Sequence, residues 1–163
     1  MSTDKALQPE AVSPAQVLRR FRVVFNAVRT HFSQVEKQVG LGGAQVWALS
    51  VIKANPGIGM GGIASHMDIH QSTASNLIKV LLKKELIVMT KGAEDRRSVH
   101  LKILPAGRKI LSKVTGPFEG VLPAALSSLE PAVLARMDKD LHQLIGLLNA
   151  DESTGEIPLA EIE

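Results

Sequence analysis

The chain has 163 residues, room for one domain plus an oligomerisation element, and its 45% apolar and 21% charged residues exclude a wholly disordered chain. No apolar run approaches the ~20 residues that span a bilayer, the amino terminus has no apolar signal segment, and the lack of cysteine removes disulfides, thiolate zinc sites and thiol catalysis, all as expected of a cytoplasmic protein with no membrane partner. The net charge of +3 conceals +6 over residues 70–110 and −6 over 130–163, and the basic stretch suggests a polyanionic partner, most commonly nucleic acid.

Residues 1–13 read as a flexible tail. From Pro14, apolar residues recur at spacings of three and four through Val17, Phe21, Val24, Val28, Phe32, Val35 and Val39, which predicts one long amphipathic helix over 14–39. Gly40, Gly42 and Gly43 interrupt it, and helix resumes through Gln45–Lys53. Asn55-Pro56-Gly57 marks a turn, and the glycines after it read as a flexible link to a short helix around Gly61–Met67. After a break at Asp68–His70 comes a helix from Gln71 to about Lys84. The period then changes to two. Val99, Leu101 and Ile103 alternate with polar residues, and Ile87–Thr90 is a partner strand across the charged tip Lys91–Arg97, so this stretch predicts a β-hairpin. Helix returns after Pro105, is broken by Gly116-Pro117 and Pro123, and starts again at Pro131 with Leu134, Met137, Leu141, Leu144 and Leu148 at near-heptad spacing. Residues 151–163 form an acidic tail.

Two short helices joined by a tight turn and followed by a basic hairpin make a winged helix-turn-helix. On its second helix Ala74, Leu77, Ile78 and Leu81 form the buried stripe. Ser72, Ser75, Asn76, Lys79 and Lys83 lie opposite, with Thr73 beside them. Small hydroxyls at the amino end let a helix sink into the major groove. Asn reads adenine, and Lys reaches guanine or phosphate. No acidic residue occurs between Asp68 and Glu85. On the hairpin, Lys91, Arg96 and Arg97 are the DNA-directed cations. Asp95 lies on the same side of the chain as Arg97, so a carboxylate–guanidinium pair can orient the tip while Arg96 enters a minor groove. The two arginines can also exchange these roles.

These residues resemble the MarR family of transcriptional regulators over roughly Gly40 to Leu111. The resemblance rests on Ile63-Ala64, on Ser72-Thr73-Ala74-Ser75, on Lys83-Lys84-Glu85-Leu86-Ile87, on the wing signature Glu94-Asp95-Arg96-Arg97-Ser98, and on Leu104-Pro105-Ala106-Gly107. It implies a mainly α fold with a β-hairpin wing: residues 40–104 are the DNA-binding domain, and residues 14–39 and 105–150 are dimerisation helices. It further implies a homodimer on double-stranded DNA at a pseudo-palindromic operator, and a small-molecule effector between the dimer helices and the winged domain. Phe25, His31, Phe32 and Trp47 are candidate linings of that site. The stripes at Val24, Val28 and Phe32 and at Met137, Leu141 and Leu144 are the expected joint between protomers. The chain departs from the family at three positions. Glu85 replaces the glycine that usually ends the recognition helix, so a left-handed cap is not expected there. Pro105 replaces a capping Thr, and His70 replaces a small polar cap.

Other signals carry less. Gly57-Ile58-Gly59-Met60-Gly61-Gly62 matches a dinucleotide-binding pattern but lacks the strand before it and the long helix after it. His66 and His70, with Asp68, have zinc-like spacing, but the helix break between them spoils a shared face, and no metal or cofactor is expected. No catalytic constellation is present. The expected function is a transcriptional repressor without enzymatic activity. The alternative is a small helical enzyme or ligand-binding protein whose basic patch serves an anionic substrate.

Overall fold

Ser13 accepts the amide of Gln16, and the Gln16 side chain accepts the amide of Ser13, so helix α1 (Pro14–Val39) begins on a reciprocal cap with proline in its first turn. Gly40 ends it in the left-handed conformation, φ 69°. The computed structural model describes residues 11–95 and 97–162. Only Val28 and Val35 of α1 are buried. This corrects the expected joint between protomers. Val28 packs inside its own chain and Phe32 is half-buried, so the outward apolar surface of α1 is its amino half, at Val17, Leu18, Val24 and Phe25.

The core belongs to the segment after Gly40. Helices α2 (Gly43–Ala54), α3 (Met60–Met67) and α4 (Gln71–Lys83) bring Leu41, Leu49, Ile52, Ile63, Ile78 and Leu81 together at 0–1% exposure. Each such side chain contributes ~1.5–3 kcal/mol by leaving water. Strands β1 (Ile87–Lys91) and β2 (Val99–Ile103) pair antiparallel, with Met89 opposite Leu101 and Lys91 opposite Val99. Leu101 turns into the core. Helix α5 (Pro105–Lys113) starts with Pro105 in its first turn, where a missing N–H costs nothing, so the departure at that position is accommodated. At Gly107 an added Cβ would lie 2.5 Å from the carbonyl of Leu86, so glycine lets α5 seat directly on the base of the hairpin.

Helix α6 (Val121–Ser127) lies against α1, with Pro123 in its first turn. Helix α7 (Pro131–Leu148) has no buried residue, and Met137, Leu141, Leu144, Leu147 and Leu148 are exposed at 36–82%. The acidic segment after it turns back on the winged domain, which its composition did not disclose. Two 3-10 turns follow, Glu152–Glu156 beside His142 and His70 and Leu159–Glu161 over α2, with Pro158 buried and Ala160 packed on the core.

Candidate nucleic-acid interface

The helical wheel of α4 divides as its spacing requires. Ala74, Leu77, Ile78 and Leu81 are buried. Ser72, Asn76, Lys79 and Lys83 are exposed on the opposite side, and Thr73 and Ser75 are half-buried at its margins. The exposed stripe therefore holds hydroxyl, amide and ammonium donors and no carboxylate.

Glu85 corrects one expectation. It adopts the left-handed conformation that glycine usually supplies, φ 56°. Its amide donates to Leu82 O at 3.0 Å, and the amide of Leu86 donates to Leu81 O at 3.0 Å, the full bond pattern of a Schellman cap. The turn brings Leu86 and Ile87 onto the core directly after α4, and their burial favours it. The amide of Leu104 donates to Leu86 O at 2.9 Å, so the same turn holds the end of β2. The wing thus keeps a fixed relation to α4 without the glycine.

At the wing tip the Asp95 carboxylate accepts the backbone amide of Arg97 at 2.8 Å. For Arg97 the partner is its peptide and not the expected guanidinium, since an aspartate two residues upstream reaches an amide more easily than a long side chain. Ser98 donates to Asp95 O through its amide at 3.0 Å and its hydroxyl at 2.7 Å, and the Gly92 amide donates to Ser98 O at 2.9 Å. An added Cβ on Gly92 would meet the Ser98 hydroxyl at 2.1 Å, so a larger residue there would displace the hydroxyl from Asp95 O. Arg97 and Lys91 are exposed there, and Arg96 lies outside the described residues.

The glycines after Pro56 are anchored. The Gly57 amide donates to Leu101 O at 2.8 Å, the Leu101 amide donates to Ile58 O at 2.9 Å, and His100 Nδ1 lies 3.0 Å from Gly57 O. Ile58 therefore bridges to β2 as a third, one-residue strand, where the sequence suggested a flexible link. A groove lined by Gly59, Gly61, Gln71, Arg97 and Ser98 joins the amino ends of α3 and α4 to the wing tip on one side of the molecule.

A cavity of about 350 Å³ lies between α1, α2, α6 and the C-terminal turns, lined by Phe32, Trp47, Leu122, Leu126, Ile157 and Leu159 among others. Gly43 shapes it, because a Cβ there would lie 2.3 Å from the Phe32 ring. Two of the four aromatic candidates do not line it. Phe25 stands two helical turns before Phe32, past the edge of the winged domain, and is 55% exposed against Phe21. His31 is one residue round the helix and faces Gly116. His66 is exposed, Asp68 caps α3 in the left-handed conformation, and the His70 imidazole turns to Glu156, so the three do not converge. Among the described residues no three metal-ligating side chains come together, and no helix is long and apolar enough to cross a membrane.

Residues 39–98 match the sequence model of the MarR family. YdgG of Bacillus subtilis strain 168, an uncharacterized HTH-type transcriptional regulator, is 29% identical over 99 residues, which is 60% of this chain and 60% of that protein's length. Among solved structures, the Staphylococcus aureus MepR–DNA complex superposes with a TM-score of 0.54 at 20% identity, over 83% of this chain and 96% of that one. Streptococcus pneumoniae FabT in complex with DNA gives 0.53 at 17% identity, over 84% and 98%. These likenesses establish the fold.

Proposed function

We propose that this chain, whose residues 39–98 match the model of the MarR family, is a sequence-specific repressor that binds a pseudo-palindromic operator in double-stranded DNA as a homodimer. One observation carries the reading. Ser72, Asn76, Lys79 and Lys83 form an exposed stripe on α4, and a groove lined by Gln71, at the amino end of that helix, and by Arg97 and Ser98 joins the helix to a wing that also exposes Lys91. Hydroxyls and an amide at the amino end suit base edges, and the lysines suit phosphate. Thr73 and Ser75 border the same contact, and Arg96 belongs to the same tip by sequence. Asp95 acts through the tip's shape.

The exposed faces of α7 and of the amino half of α1 support the homodimer, because an apolar surface of that extent is unusual on a monomer. The amino half of α1, within residues 14–39, and α7, within residues 105–150, form this joint, and residues 40–104 read DNA. The cavity walled by Phe32 and Trp47 is the proposed effector site, and its largely apolar lining suits a small aromatic or aliphatic molecule.

Selection of fragments from a genomic library by the purified protein tests the reading. A discrete set should be enriched, and affinity for it should fall steeply with salt as phosphate counterions are released. No enrichment, or binding indifferent to salt, would contradict it.

A further inference from the structure

A carboxylate stands beside the residue that precedes α4. His70 precedes the helix, and its amide donates to the backbone carbonyl of Glu156 at 3.1 Å. Its Nδ1 lies 2.7 Å from Glu156 Oε2. Among the described residues no side chain caps the first turn of α4, so its leading amides have no side-chain acceptor, and Glu156 stands at that end through its contacts with His70. Glu156 also lines a groove with Gly61, Ser65, Asp68 and Gln71, between the two helices of the motif.

The segment that brings Glu156 there is structured along its length. Asp151 accepts the Ser153 amide at 2.9 Å, which holds its carboxyl below the usual aspartate range. Glu152 lies 3.4 Å from His142 of α7. Pro158 is buried, and Ala160 packs on the winged core. Residues 151–163 contain five acidic residues and no Lys or Arg, opposite in sign to the face they border. A helix amino terminus with unsatisfied amides favours an anion, and on a duplex that anion is a backbone phosphate.

We propose that residues 151–162 form an autoinhibitory strap that sets the Glu156 carboxylate where a DNA phosphate would sit at the amino end of α4, and that the strap lifts when the duplex binds. The proposal rests on α4 being the recognition helix. Docked, the strap stands beside Gly61, Ser65 and Gln71 and adds negative charge at the edge of the DNA-facing side. It is anchored by Pro158 and Ala160, with Ile157 and Leu159 in the wall of the cavity beside α2.

The test uses a labelled duplex selected by the full-length protein, and compares wild type, Glu156→Gln and a chain ending at Ala150. Glu156→Gln should bind about threefold more tightly, the scale of one charge at a helix terminus. The shortened chain should bind at least as tightly as that variant. Hydrogen exchange in residues 151–162 of the wild type should quicken when the duplex is added. Wild-type binding with no gain in Glu156→Gln, or a strap equally protected with DNA bound, overturns the strap and leaves the DNA-binding reading standing. A wild type that selects no duplex overturns both. Glu156→Gln keeps the apolar anchors, so it decides the matter even where the shortened chain does not fold.

Discussion

The carboxylate of Asp95 holds the backbone amide of Arg97 at 2.8 Å and leaves the guanidinium of Arg97 to the solvent side of the wing. The acid therefore acts on the path of the chain and not on the charge of the arginine. Asp95→Ala should weaken operator binding about fivefold, the scale of one hydrogen bond, with little change in melting temperature. Asp95→Asn keeps an acceptor oxygen and should retain wild-type affinity or exceed it, since a negative charge near DNA is removed. Titration of both variants separates the two roles. Equal losses in Asn and Ala would assign the effect to charge.

Glu85 adopts a left-handed conformation in which an L side chain is disfavoured by ~1 kcal/mol relative to glycine. Glu85→Gly should raise stability by about that amount, because the capping bonds to Leu81 and Leu82 need only backbone. Denaturant midpoints of the two proteins check this. A lower midpoint would mean that the Glu85 side chain contributes more than its backbone costs.

Leu141 is 40% exposed and lies on α7, of which nothing is buried within the chain. In the proposed homodimer Leu141→Asp buries a charge without a partner, a cost of several kcal/mol incurred by both copies. Sedimentation equilibrium should give a dimer for wild type and a monomer for the variant. The variant's winged domain should stay folded, since α7 adds no buried residue to it. A monomeric wild type at micromolar concentration would remove the dimer.

What could be read from the sequence was local. The two faces of α4 follow from Ala74, Leu77, Ile78 and Leu81 alone, since a helix repeats every 3.6 residues whatever surrounds it. The inward face of the second hairpin strand follows from the alternation at Val99, Leu101 and Ile103. The missed features depend on partners remote in sequence. Gly57 looks like a free turn until Leu101 is beside it, 44 positions later. Val28 and Phe25 share one helical face, and only the edge of the winged domain decides which of them is buried. Glu156 lies in an acidic stretch with no strong periodicity, and its docking depends on His70 and on single contacts at Pro158 and Ala160. The left-handed Glu85 is set by Leu86 and Ile87, whose burial outweighs the local preference for glycine.

The central claim is that α4 reads bases through Asn76 while its lysines hold phosphate. It is tested most directly by the ratio of affinities for the selected duplex and for a shuffled duplex of equal composition, measured in wild type, Asn76→Ala and Lys79→Ala. Asn76→Ala should lose roughly 1–3 kcal/mol on the selected duplex and little on the shuffled one, so the ratio collapses. Lys79→Ala should weaken both duplexes alike and reduce the slope of affinity against salt. An Asn76→Ala protein that is folded and keeps the wild-type ratio would contradict the assignment of α4 as the helix that reads DNA.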